Sequence, residues 1–205
     1  MKYKNTLWIV AVFFSASSFV LPRQSGSSFA VRRWVISKNS SLSVNGSTNI
    51  NKFSCVIPNC DQIDTLTLSK NKTNTEVILL GTIWLSISSF DCHNTSMTKQ
   101  LRKTLNEKQF PLLRIKFLSL NKIPDLTNKP ESITGFVEIE IAGVRKRFEV
   151  NYQLTQDDQK NIHLLGARDI NFSDFNLVPP RKLGGMIKTK DQLGVDFQLN
   201  MKVMD

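Results

Sequence analysis

The chain of 205 residues sets 27 lysines and arginines against 17 acidic residues, a formal charge of +10. That length suits one domain or a small pair. The basic residues are spread along the chain rather than gathered in one helix or stripe, which argues against a nucleic-acid-binding role.

The first twenty residues differ from the rest. Lys2 and Lys4 precede an apolar run, Leu7 to Phe14 (LWIVAVFF), and small residues follow at Ser15-Ala16-Ser17-Ser18. This order predicts a secretory signal peptide over residues 1–20. A membrane span would need roughly 20 apolar residues, so no integral segment is expected after the signal is removed. Residues 21–33 begin LPRQSGSSFA and read as a flexible leader, with the folded domain covering 34–205. Export makes a secreted location the expectation.

The body of the chain reads as strands. Early candidates are 40–46, 51–56, 63–70, 76–90 and 112–120. The stretch "EVILLGTIWLSISSF" is apolar on both faces, so one face is expected in an interior and the other under cover, with a bend at Gly81. "NTSMTKQLRKTLNEKQF" places Met97, Leu101 and Leu105 on one stripe and predicts a helix over about residues 95–108. Asn94, Thr95 and Ser96 can each cap its first turn, and Phe110-Pro111 stops it.

Alternation is clearest in the second half. Val137, Ile139 and Ile141 oppose Glu138 and Glu140, and the chain turns back at Ala142-Gly143. Phe148, Val150, Tyr152 and Leu154 share one face of the next strand. In "LGVDFQLNMKV", Val195, Phe197, Leu199 and Met201 do the same. Many sequential strands with one helix predict an all-β closed antiparallel barrel or a sandwich.

No residue set for chemistry emerges. Cys92 and His93 are adjacent, so on a strand they point to opposite faces. No CxxC or HExxH spacing occurs, and no metal or cofactor is expected. No nucleophile signature occurs either, so an enzyme is not expected. In an oxidising compartment a disulfide is the better use of the thiols. Cys55 and Cys92 each end a strand two residues after a phenylalanine, and their pairing is the expectation. Cys55–Cys60 is the rival, and either choice leaves one thiol over.

Three stretches in order resemble a known family: "SSLSVNGSTNINKFSC", "FDCHNTSMTKQLRKTLNEKQFPLLRIKF" and "ARDINFSDFNLVPPRKLGGMIKTKDQLGVDFQL". Together they are similar to the YceI-like bacterial envelope proteins, most of all a Bacteroidetes-type branch with cysteines near the first two stretches. The resemblance spans about residues 34–203. It implies a lipocalin-like eight-stranded antiparallel barrel with one inserted helix, and in some members a polyisoprenoid bound inside.

An eight-stranded barrel has room for its own side chains or one slim ligand. The expected ligand is an amphiphilic lipid, with Val137, Ile139, Phe148, Val150, Tyr152, Val195, Phe197 and Leu199 lining a tail cavity. The loop "SDFNLVPPRKLGGMIKTKD" supplies the expected headgroup or rim residues: Phe175, Arg181, Lys182 and Lys188. The alternative is a ligand-free barrel that the same apolar side chains fill, acting as an envelope stress or interaction module.

Overall fold

In a computed structural model, which describes residues 31–60, 64–70 and 77–204, eleven strands and one helix follow one another along the chain. They are β1 (Arg32–Ile36), β2 (Ser41–Thr48), β3 (Lys52–Ile57), β4 (Thr65–Lys70), β5 (Val77–Ser86), α1 (Thr95–Thr104), β6 (Leu112–Leu120), β7 (Glu131–Ile141), β8 (Val144–Gln156), β9 (Asn161–Asn171), β10 (Arg181–Lys182) and β11 (Ile187–Met204). The expected signal peptide and most of the expected leader lie outside the described residues. β1 begins at Arg32, inside the stretch read as leader, and pairs there with Leu68 of β4.

Eight strands close a ring in the order β1-β4-β5-β6-β7-β8-β9-β11, and β11 returns to β1. Every pairing is antiparallel. The period-2 pattern explains the closure: each strand sends alternate apolar residues inward, and a ring leaves no edge for them to escape. β11 is long enough to serve two neighbours. Leu193 to Gln198 pair with β2, and Met201 to Met204 pair with β1.

Between these two partners the chain steps through residues 37–40, and buried polar groups hold the step. Ser40 Oγ donates to Ser37 O at 2.7 Å and accepts from Asn200 N at 3.0 Å. Asn200 Nδ2 donates to Asn39 O at 2.8 Å, and Asn200 Oδ1 lies 2.7 Å from His163 Nδ1. Each buried polar atom so paired avoids a desolvation cost of about 1–3 kcal/mol.

The β2–β3 hairpin projects beyond the closed ring. β3 pairs with β2 on one side, and its other edge makes a single bridge, Val56 to Asp91. Four residues beyond that bridge α1 begins. Asn94 is its cap: the side-chain oxygen accepts from Met97 N at 3.0 Å, satisfying one donor of the first turn. Leu101 and Leu105 are buried under the helix, and Met97 packs partly against the same core. The expected stripe is therefore the face that α1 lays across this end of the barrel. Burial of each leucine contributes roughly 1.5–3 kcal/mol.

A disulfide joins Cys55 of β3 to Cys92, three residues before the helix. Cys60 is buried and lies outside it.

Strand β5 corrects one expectation. The register slips between Ile78 and Gly81, which is the bend anticipated at the glycine. Its outward face, however, is not covered by a helix. Leu80 is 49% and Trp84 39% exposed, and Trp84 meets the Arg114 guanidinium at 5.8 Å. The helix belongs to the barrel end, where Leu101 and Leu105 are buried, rather than to the wall.

Candidate ligand-binding site

The barrel interior is packed at its middle. Phe117, Tyr152 and Phe197 form an aromatic trio, with ring centroids 6.0 to 6.5 Å apart. Glycines on neighbouring strands make room for them. A Cβ on Gly166, which pairs with both Tyr152 and Phe197, would collide with the Phe197 ring. A Cβ on Gly135 would lie 2.9 Å from the Tyr152 ring. Large rings opposite glycines are how a narrow barrel reaches interior density.

The residues expected to line a tail cavity are therefore distributed. Val137, Val150, Tyr152 and Leu199 are buried in the packed interior, each at most 2% exposed. The Tyr152 hydroxyl finds no hydrogen-bond partner among the described residues, and burial pushes its phenol up from the ordinary value. Phe197 is part of the trio. Ile139 and Val195 instead border a small void under α1, of about 40 Å³. Leu42, Val44, Phe90, Leu101, Ile115 and Ile170 also face it, and its lining is wholly apolar. Phe148 packs against Phe175, ring centroids 6.0 Å apart and tilted, away from that void, with Arg168 5.8 Å over the Phe148 ring.

Above the void, on the other side of Leu101, lies a second space of about 130 Å³. It opens at the barrel mouth between α1, the β2–β3 hairpin and the start of β11. Phe53, Met97, Leu101, Phe172 and Ile187 form its apolar walls, and Lys182 stands at its edge. Leu101 is common to both spaces and is 6% exposed.

Of the four residues expected at a headgroup or rim, Lys182 alone lines this mouth space. Phe172–Phe175 form a short 3-10 turn closed by a capping box, in which Asn171 N donates to Asp174 Oδ2 at 2.7 Å. That turn buries Phe172 beside the mouth and Phe175 against Phe148. β10 then lies along β11, with Arg181 opposite Lys188 and Lys182 opposite Ile187. Lys182 Nζ donates to Ser96 Oγ of α1 at 3.3 Å, and Arg181 and Lys188 are exposed.

Sequence reasoning did not single out Phe53, Phe172 or Ile187. They come from three separate elements, and no local spacing marks them as one wall. A signal did exist for Phe53, which shares a strand face with Cys55 and so had to meet whatever the disulfide brings near.

A larger depression, of about 680 Å³, is of another kind. Leu42, Ile133 and Tyr152 at its floor are at most 4% exposed, so its accessible lining is the outward row of the wall, including Asn151, Gln153, Leu165 and Gln198. Gly166 and the half-buried Phe197 of the interior trio border it as well. Among the described residues no group of three or more acidic, histidine and cysteine side chains is placed to hold a metal ion, and no helix is long and apolar enough to cross a membrane.

No family model and no curated protein sequence matches this chain. Solved structures do. A polyisoprenoid-binding domain from Saccharophagus degradans, implicated in plant cell wall breakdown, aligns with a TM-score of 0.61 at 13% identity, covering 83% of this chain and 98% of that one. BcnA of Burkholderia cenocepacia aligns at 0.58 and 14%, covering 78% and 95%. A Campylobacter jejuni YceI protein aligns at 0.50 and 14%, covering 67% and 79%. At these identities the likeness establishes the fold: a closed eight-stranded antiparallel barrel with one helix.

Proposed function

We propose that this protein is a secreted, periplasmic carrier of an amphiphilic lipid and not an enzyme. The apolar tail enters at the α1 mouth, and the anionic headgroup stays beside Lys182. One observation carries the reading. Two apolar spaces lie on either side of a single side chain, Leu101, and the outer one opens beside a lysine. The Saccharophagus degradans neighbour is described as polyisoprenoid-binding, and the three ordered sequence stretches resemble the YceI-like family. Both favour a polyprenyl or acyl tail, and the positions of Cys55 and Cys92 favour the Bacteroidetes-type branch.

The proposed path of the tail differs from a central cavity. Spaces of about 130 and 40 Å³ are well below the 300–1,000 Å³ usual for a drug-sized ligand. A long chain therefore requires α1 to tilt outward and carry Leu101 and Leu105 with it. The helix is tethered for such a motion. Its N-terminal side is tied by the disulfide and by Cys92 N donating to Thr98 Oγ1 at 3.0 Å. Arg102 Nη2 donates to Phe90 O at 2.8 Å, a bond that the tilt would break.

The second reading, a filled barrel that binds no ligand, is favoured by the packed trio of Phe117, Tyr152 and Phe197. Native mass spectrometry of the protein with farnesyl monophosphate and with lauric acid separates the two. A one-to-one adduct that is lost on denaturation supports the carrier. A bare mass at saturating probe refutes it and leaves the filled barrel.

A further inference from the structure

The loops around the α1 mouth carry features that folding does not explain. Ile50, at the tip of the β2–β3 hairpin, is 67% exposed, Leu183 65% and Met186 71%. Hydrogen bonds hold them together: Asn49 Nδ2 donates to Met186 O at 2.9 Å, and Lys188 N donates to Asn49 Oδ1 at 3.0 Å. Leu183 also takes a left-handed backbone, with φ of 51°. That conformation suits glycine or asparagine, and it disfavours a leucine that buries nothing in return. Gly184 and Gly185 follow with positive φ and open space around them, so this turn projects from the barrel.

The charge beside this tip is equally uneconomical for the isolated fold. Arg181 and Lys188 are direct cross-strand partners, both exposed, and like charges so placed repel. Lys52 is exposed beside the hairpin tip, and Lys182 stands at the mouth. None of the described ion pairs involves these four cations. The nearby acids are engaged otherwise. Asp191 accepts from the backbone N–H and hydroxyl of Ser173, and Asp174 closes the capping box.

From these observations we infer that the mouth loops dock on an anionic lipid surface, with Ile50, Leu183 and Met186 inserting into the interface and Arg181, Lys182, Lys188 and Lys52 meeting the headgroups. Apolar tips ringed by cations match a surface that is anionic outside and apolar beneath. Docking here would set the mouth against the source of the proposed ligand, so the inference rests on the amphiphile reading.

The test is hydrogen exchange of the full chain with vesicles of phosphatidylcholine alone and of phosphatidylcholine with about three-tenths phosphatidylglycerol. Segments 48–52 and 178–189 are expected to gain protection on the anionic vesicles only. Vesicle contacts made elsewhere on the chain do not enter this local readout. The Arg181→Gln/Lys188→Gln variant is expected to weaken the loop protection, titrated against lipid, by about thirtyfold. Ile50→Ser/Leu183→Ser/Met186→Ser is expected to abolish it. All five side chains are exposed, so both variants should melt like the parent. Unprotected loops, equal protection on the uncharged vesicles, or equal protection by soluble polyglutamate in place of vesicles would each overturn the inference, the last in favour of an acidic protein partner.

The same vesicles carry a trace of fluorescent farnesyl monophosphate. Protected loops with no probe transferred would leave the docking standing and refute the carrier. Probe uptake with unprotected loops would do the reverse.

Discussion

Leu101 separates the mouth space from the inner void, and its truncation tests the carrier reading directly. The side chain is 6% exposed and packs among Val44, Phe90, Ile115 and Ile170 on its inner side. Buried Leu→Ala changes cost about 3–5 kcal/mol, the amount rising with the cavity left behind. Leu101→Ala should fall near 3 kcal/mol, because a void already lies beneath it and less packing is lost. The change merges the two spaces into one apolar cavity, which stays dry and takes apolar guests. A tail that reaches two methylenes deeper gains about 1.6 kcal/mol, or about fifteenfold in affinity. Urea unfolding of parent and variant, alone and with lauric acid, measures both effects. At one hundred times Kd the ligand should restore about 2.7 kcal/mol. A cost below about 1 kcal/mol would mean that Leu101 is no partition. Unchanged or weaker lauric acid binding in a folded variant would refute the route past it.

Three further outcomes are expected. Reduction of the Cys55–Cys92 bridge, which spans 37 residues, should lower stability by about 4 kcal/mol in the loop-entropy account, read as a drop in the urea midpoint on adding reductant. A shift under about 1 kcal/mol would contradict it. Tyr152→Phe should be neutral or stabilising by up to about 1 kcal/mol, since the buried hydroxyl loses no partner. A loss above about 1 kcal/mol in thermal melts would show that the hydroxyl is satisfied in solution. Glu131 accepts from the Lys122 ammonium at 2.7 Å, and that bond holds its carboxyl below the ordinary range. With a folded pKa below the unfolded one, its contribution is complete above the unfolded value and is lost as pH falls through the folded value. Glu131→Gln should therefore lower the melting temperature slightly at neutral pH and converge with the parent in acid, which flattens the acid limb below about pH 4.5. An unaltered acid limb would refute this.

Much of the wall was legible because a strand with one buried face advertises itself in pairs of residues. Phe148 to Leu154 and Val195 to Met201 point where their alternation said they would. The helix was legible from Met97, Leu101 and Leu105, although the sequence left open which of three residues caps it. β1 was not legible: Arg32–Ile36 is five residues long, too short to establish a period. The outward face of β5 misled, because apolar character says that a residue tolerates burial and not that anything covers it. Leu80 and Trp84 remain at the surface.

The sequence by itself determined the all-β antiparallel class, the helix and its cap region, since these depend on periods of two and of 3.6 within one segment, whereas barrel rather than sandwich followed from the family resemblance and is seen in the β11–β1 closure. It also pointed to Cys55 and Cys92 through their matching strand ends. Tertiary structure decided whether a cavity exists and where. Interior volume is the difference between a ring's width and the side chains that eight strands send into it. That difference turns on pairings such as Gly166 with Phe197 and Gly135 with Tyr152, which are distant or unmarked in sequence. The mouth wall of Phe53, Phe172 and Ile187 has the same origin. Its members meet because the ring closes, and no segment of the chain encodes that meeting locally.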